Sequence, residues 1–146
     1  MNDSIAIKRP VHLWIVGIIS LLWNAMGAFD YIMTQTKNEA YMANFTPEQL
    51  DFFYGFPFWV ESTWALAVWG SVLASVFLLL GRKCAQGMFL MSLVAMVATT
   101  IHNFVLSNGL EVMGDPFSLF FTGLIFVISV VLVLYSRAMV NKGVLK

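Results

Sequence analysis

Two carboxylates, Asp30 and Glu61, and one imidazole, His102, fall within long apolar stretches of this sequence. Asn24 and Tyr31 accompany Asp30, Trp64 follows Glu61 by one helical turn, and Asn103 adjoins His102. Two carboxylates, an imidazole and amides at one depth of a membrane can bind a cation, relay protons or hydrogen-bond a polyhydroxylated ligand. Tyr31, Trp23 and Trp64 would then supply stacking surfaces. Each residue also has a plainer reading. Asp30 and Glu61 can be interfacial carboxylates that reach water, and His102 can bond a neighbouring helix. Asn24 and Asn103 can be glue between helices, at about 0.6–2 kcal/mol each.

Other chemistry is poorly served. A haem held between helices wants axial ligands at one depth, and the two histidines, His12 and His102, lie towards opposite faces. A structural zinc lacks its Cys and His complement, and the serines mostly sit a turn or more from His102, so no nucleophile with its base is expected. The single cysteine, Cys84, allows no disulfide or dithiol pair within the chain. No catalytic residue, metal or cofactor is therefore assigned. Eight basic and eight acidic residues leave no net charge for nucleic-acid binding.

The elements that position these residues follow from hydropathy. At 60% hydrophobic, 11% charged and mean hydropathy +0.81, the composition is that of a membrane protein. Crossing the hydrocarbon takes about 20 apolar residues. Four runs qualify, at about 11–34, 57–81, 84–107 and 116–137, making residues 1–146 one transmembrane domain. Asp115-Pro116 opens the last as an N-cap followed by Pro, and Ser107-Asn108-Gly109 suits a left-handed cap on the third. A cleaved signal peptide is the alternative for the first run, which is too long for one and carries Asn24 and Asp30.

The expected fold is an all-α, antiparallel four-helix bundle. Seven of the eight Lys and Arg residues fall on one side and seven of the eight Asp and Glu residues on the other, which predicts cytoplasmic termini. Asp30, Glu61 and His102 then share a layer near the outer ends of their helices, with Asn24 deeper as a floor.

The loop between the first two spans has structure of its own. Thr46-Pro47-Glu48-Gln49 reads as a capping box, with Phe45 and Leu50 placed for a hydrophobic staple. A short helix over about 47–54 is expected, lying flat on the outer membrane surface as an aromatic anchor or, alternatively, as a lid over the helix ends.

Within the spans the small and polar residues carry the information, because lipid is as apolar as leucine. Gly17, Ser20, Asn24, Gly27 and Tyr31 form one stripe on the first helix. Ala65, Val68, Val72 and Ser75 follow Glu61 on the second. Met88, Ser92, Ala95, Thr99, His102 and Asn103 form a stripe on the third. These faces are expected to meet other helices. Ser118, Thr122, Ser129 and Ser136 on the fourth can bond back to their own helix. Gly70 and Ala74, a small-xxx-small pair, offer a surface for a second copy.

The strings Leu22-Trp23-Asn24-Ala25-Met26-Gly27-Ala28-Phe29-Asp30-Tyr31, Tyr54-Gly55-Phe56-Pro57-Phe58-Trp59 and Asn103-Phe104-Val105-Leu106-Ser107-Asn108-Gly109 resemble a group of small four-span inner-membrane proteins of proteobacteria. The resemblance covers nearly the whole chain. It implies an inner-membrane location, and some members of the group carry a sugar-transporter label.

Three readings follow. The first is a permease for a small polar solute, sugar-like, or for an ion or proton, working as a homo-oligomer because four helices leave little room for a path. The second is a non-catalytic accessory or structural subunit of a larger membrane complex. The third is a small enzyme acting on a lipid or quinone, with Glu61 and His102 as acid and base.

Overall fold

The computed structural model describes residues 7–146; Asp3, the acidic residue expected on the basic side, lies outside the described residues. The described chain is all helical, in the order α1 (Val11–Gln35), α2 (Glu39–Met42), α3 (Pro47–Tyr54), α4 (Phe58–Leu79), α5 (Cys84–Ile101), a π-helical turn (His102–Leu106), α6 (Gly109–Met113) and α7 (Pro116–Asn141). Four helices, with α5 extended by its π turn, are long and apolar enough to cross a membrane. This is a multi-pass helical bundle.

The helix ends are set by local chemistry. Thr46 accepts from the Gln49 amide at 3.2 Å while the Gln49 side chain accepts from the Thr46 amide at 3.1 Å, completing the capping box of α3. Asp115 accepts from the Ser118 amide at 3.0 Å at the start of α7, and the Ser118 contacts hold its carboxyl below its ordinary value.

Three helices stop in the same way, with crossed bonds from the two residues beyond the cap. At α4, Gly81 donates to Leu78 at 3.0 Å and Arg82 to Phe77 at 2.9 Å. At α7, Gly143 donates to Val140 at 2.9 Å and Val144 to Met139 at 3.0 Å. Gly81 and Gly143 take the positive φ this motif needs, at 71° and 70°. At α1 the same position is occupied by Lys37, with φ 50°, whose ammonium lies 4.7 Å from the Tyr54 ring centroid. The cap at Gly81 ends α4 at Leu79, two residues short of the expected boundary, while α7 runs one turn past Arg137.

The expected left-handed cap at Asn108 and Gly109 is not formed. Asn108 has φ −87°, and α5 instead widens into the π turn before Gly109 begins α6. The glycine is needed for another reason, since a Cβ there would run into the Asn103 carbonyl.

Packing centres on α4, which lies against both α1 and α5, while α7 rests mainly on α5. The small and polar stripes meet as their spacing predicts. Gly17 lets α1 close onto Leu79, and Gly27 faces Val68. The Ser92 hydroxyl donates to the Ala67 carbonyl, and Thr63 and Thr99 share a hydrogen bond of 3.0 Å. The serines and threonine of α7 turn back on their own helix, Thr122 to Ser118, Ser129 to Ile125 and Ser136 to Val133.

One expectation is corrected here. Gly70 and Ala74 are buried inside the chain, and a Cβ on Gly70 would lie 3.1 Å from Met91 and 3.6 Å from Ser92. A missing Cβ admits any close backbone, and α5 takes that place, so this pair offers nothing to a second copy.

The core lies towards the basic end. Leu13, Leu78, Phe89, Leu132 and Met139 gather there with Val144 and Leu145, which fold back from the end of α7. Lys146 donates its amide to Gly81 at 2.9 Å and accepts from Lys83 at 3.0 Å. Arg9 donates to the Leu79 and Leu80 carbonyls at 3.0 and 2.8 Å, filling the space a Cβ on Gly81 would take. Three segments that are distant in sequence thus interlock. α1 and α7 meet more sparingly, through a 2.6 Å bond between His12 and Tyr135 and a contact of Trp23 with Phe121.

Candidate functional site

The other end of the bundle is aromatic. Tyr31 of α1 meets Trp64 of α4 edge to face at 5.0 Å between ring centroids, Trp64 meets Phe56 at 6.1 Å, and Phe56 meets His102 at 5.7 Å. Trp59 approaches His102 from another side at 5.3 Å. Phe52, Phe53 and Phe45 extend the cluster over the helix ends. The perpendicular arrangement sets the positive edge of one ring on the negative face of the next, which favours a fixed geometry.

His102 has a partner for each ring nitrogen. Nδ1 lies 3.2 Å from the Asn103 Oδ1, and Nε2 lies 3.2 Å from the Ser107 hydroxyl. The Asn103 oxygen can accept from Nδ1–H, and the Ser107 hydroxyl can donate to or accept from Nε2, so each ring nitrogen has a hydrogen-bond partner. The π turn makes this possible, because its wider turn carries Ser107 back over His102 five residues on.

Asp30 reaches the cluster only through Tyr41, which meets Phe45. Its carboxylate accepts a 2.7 Å hydrogen bond from the Tyr41 hydroxyl, and Tyr41 is held by edge contact with Phe29 and tilted contact with Phe45. Tyr41 lies in α2, outside the spans, and its hydroxyl is pushed up to about 12 by burial first and then by the hydrogen bond to Asp30 and that residue's charge.

Asn24 is deeper and serves as a tie between α1 and α4. Its amide donates to the Ser75 hydroxyl at 3.0 Å and, more weakly, to the Ser71 carbonyl at 3.4 Å. Glu61 sits half-buried in the first turn of α4, where the helix dipole favours an anion. The side-chain hydrogen bonds of the described residues do not include it.

Of the residues singled out in the sequence, the structure joins Tyr31, Trp64, His102 and Asn103 through Phe56. Asp30 and Asn24 form pairs of their own. Tyr41, Phe56, Trp59 and Ser107 are the participants that sequence reasoning did not assign. Ser107 alone has a local signal, a hydroxyl five residues after a histidine at the end of an apolar run.

A cleft of about 660 Å³ lies beside this cluster, between α3 and α6, lined by Thr46, Glu48, Asp51, Phe52, Asn108 and Glu111 among others. Its three carboxylates, Glu48, Asp51 and Glu111, are among the acidic residues that the sequence places opposite most of the Lys and Arg. Phe52 is the one residue it shares with the aromatic cluster. Among the described residues no three His, Cys, Asp or Glu side chains gather closely enough to hold a metal ion.

Chemically the arrangement offers a satisfied histidine enclosed by rings, a tyrosine–carboxylate pair and an acidic cleft. Comparison with protein-family models, with curated proteins and with solved structures finds no match to this chain.

Proposed function

We propose that the chain is a non-catalytic accessory or structural subunit of a larger assembly in the bacterial inner membrane. In this reading the four spans form an antiparallel bundle with both termini in the cytoplasm, following the distribution of Lys and Arg. α3 and its phenylalanines then lie at the outer surface.

One observation carries the proposal. Apart from Glu61 in the first turn of α4, the polar groups that face inward along the spans are tied to neighbouring helices or to their own, as with Asn24 and Ser75, Thr63 and Thr99, and Ser92 with Ala67. The outward faces are apolar, with Ile15, Ile19 and Leu22 on α1, Leu66 and Leu73 on α4, and Phe120, Val127 and Leu134 on α7 all exposed. A path for a polar solute, within one copy or between copies, needs polar groups free to replace water. A face that meets lipid or an apolar partner helix does not.

The second reading, an oligomeric permease for a sugar-like solute, is favoured by the cluster of Tyr31, Trp64, His102 and Asn103. Aromatic faces beside amide and imidazole groups suit a sugar ring.

Two measurements, one on the purified protein and one on native membranes, separate the readings. Proteoliposomes are assayed for uptake of labelled sugars and protons, and membranes carrying a photo-crosslinker at Val127 or Leu134 are irradiated and resolved by size. The subunit reading expects no uptake above empty vesicles and a discrete crosslink of fixed mass to a different chain. Saturable uptake that an Asn103→Ala protein loses would overturn it in favour of the permease.

A further inference from the structure

The interlocked basic end forms a second cavity, open on one side and of about 520 Å³, that neither reading uses. Its walls come from three segments distant in sequence: Ile7 and Arg9 before α1, Leu80, Gly81 and Arg82 between α4 and α5, and Val144 and Lys146 after α7. We propose that this cavity binds the phosphate group of an anionic phospholipid.

Three features argue for it. The lining brings three cations together, and no acidic side chain of the described residues lines it. The Arg9 guanidinium and the Lys146 backbone are also held in place. Arg9 is anchored on the Leu79 and Leu80 carbonyls, which uses two of its five N–H donors and leaves the others for an anion. The Lys146 backbone is bonded to Gly81 and Lys83 on both sides, so the tail that carries its ammonium is held against the α4–α5 turn. A site whose backbone is set before binding loses less entropy on binding.

Position and shape select a lipid over a soluble anion. Gly81 and Arg82 follow the end of one span and Arg9 precedes the start of another, so the cavity lies at the depth of the headgroups. Ile7, Leu80 and Val144 supply an apolar side on which glycerol and the first acyl carbons can rest. Basic pockets between spanning helices are a known setting for anionic headgroups. The shared chemistry with free phosphate is the phosphate oxygens, which Arg82 and Arg9 can bind through paired N–H donors. The inference is independent of what the aromatic end does.

The test uses the purified protein in mixed micelles with phosphatidylglycerol, with phosphatidylcholine, or with inorganic phosphate and no added lipid. Retained lipid is counted by native mass spectrometry and stability is followed by thermal melting. The wild-type protein is expected to retain phosphatidylglycerol in preference to phosphatidylcholine. Arg82→Gln with Lys146→Gln should lower that retention about thirtyfold, the combined effect of two basic side chains at a membrane surface. Arg137→Gln with Lys142→Gln removes the same charge from the same end but outside the cavity, and should lower retention by clearly less than the cavity pair does.

Equal retention of the two lipids by the wild-type protein would overturn the proposal without recourse to any variant. An equal loss in both double variants would overturn it too, by reducing the effect to bulk charge. Stabilisation by inorganic phosphate matching that by phosphatidylglycerol would overturn the lipid as the source.

Discussion

Tyr41 donates its hydroxyl hydrogen to Asp30 across 2.7 Å, so the carboxylate on the last turns of α1 is answered from the short helix that follows it. Burial and the neighbouring charge push the Tyr41 hydroxyl from 10 to about 12. A folded-state value raised above the unfolded one gives stability that is complete below the unfolded value and lost as pH rises through the folded one. The contribution of Tyr41 should therefore be whole up to about pH 10 and disappear between about pH 10 and 12. Subtracting the ultraviolet titration of Tyr41→Phe from that of the wild type isolates this group. A difference curve centred near 12 is expected, and one centred near 10 would remove the hydrogen-bonded pair from the account.

Asn24 ties α1 to α4 inside the bilayer through Ser75, whose own hydroxyl donates on to the Ser71 carbonyl at 2.9 Å. Hydrogen bonds between spanning helices contribute about 0.6–2 kcal/mol, because the unfolded chain in the membrane also finds partners. Asn24→Leu should cost about 1 kcal/mol in a reversible unfolding assay in detergent. A double-mutant cycle with Ser75→Ala should return a coupling of at least about 0.6 kcal/mol. Strict additivity of the two substitutions would mean that the bond does not hold the helices together.

Much of this end-to-end scaffold is legible in the sequence because it depends on short-range rules. Length and hydropathy find the spans, Thr46 and Gln49 find α3, and the stripe from Gly17 to Tyr31 finds the face that meets α4. What stays hidden depends on contacts between distant segments. Nothing near Asp30 announces that Tyr41, eleven residues on, will turn back to it. Arg9 reads as an ordinary topology signal, yet seventy residues on it caps α4. The π turn has no local signature either, since His102 to Leu106 carry ordinary helix-compatible residues and only the neighbouring Asn103 carbonyl and Gly109 reveal the wider path. Gly70 and Ala74 show the remaining ambiguity: small residues signal a close helix without saying whether it belongs to the same chain.

Two glycines with crowded surroundings should respond differently to a methyl group. A Cβ on Gly17 would meet the Leu79 side chain at its tip and its branching carbon, so the whole side chain must swing aside, which its half-buried position allows. One on Gly109 would meet the Asn103 backbone carbonyl, which is part of the π turn and cannot move without disturbing His102. Overpacking costs about 1–3 kcal/mol, so Gly17→Ala should fall at or below the lower end and Gly109→Ala near the upper end. Thermal melts of the two variants provide the comparison. A Gly109→Ala protein as stable as wild type would show that the turn is not held in this form.

Leu145 is 3% exposed, and its burial fixes the tail whose last residue bonds to Gly81 and Lys83. Leu134 on α7 is 59% exposed on the apolar surface of the bundle and touches little that a truncation would disturb. Leu145→Ala removes packed atoms and leaves a cavity, a loss of about 2–5 kcal/mol in a well-packed site, whereas Leu134→Ala should stay within about 0.5 kcal/mol. The backbone gives an independent readout, because the Lys83 amide is protected by the Lys146 carbonyl at 3.0 Å. Loosening the tail should speed hydrogen exchange at Lys83 in Leu145→Ala and leave it unchanged in Leu134→Ala. If the two variants melt together and exchange alike, the tail is not part of the packed core and the wall it gives to the basic cavity is lost as well.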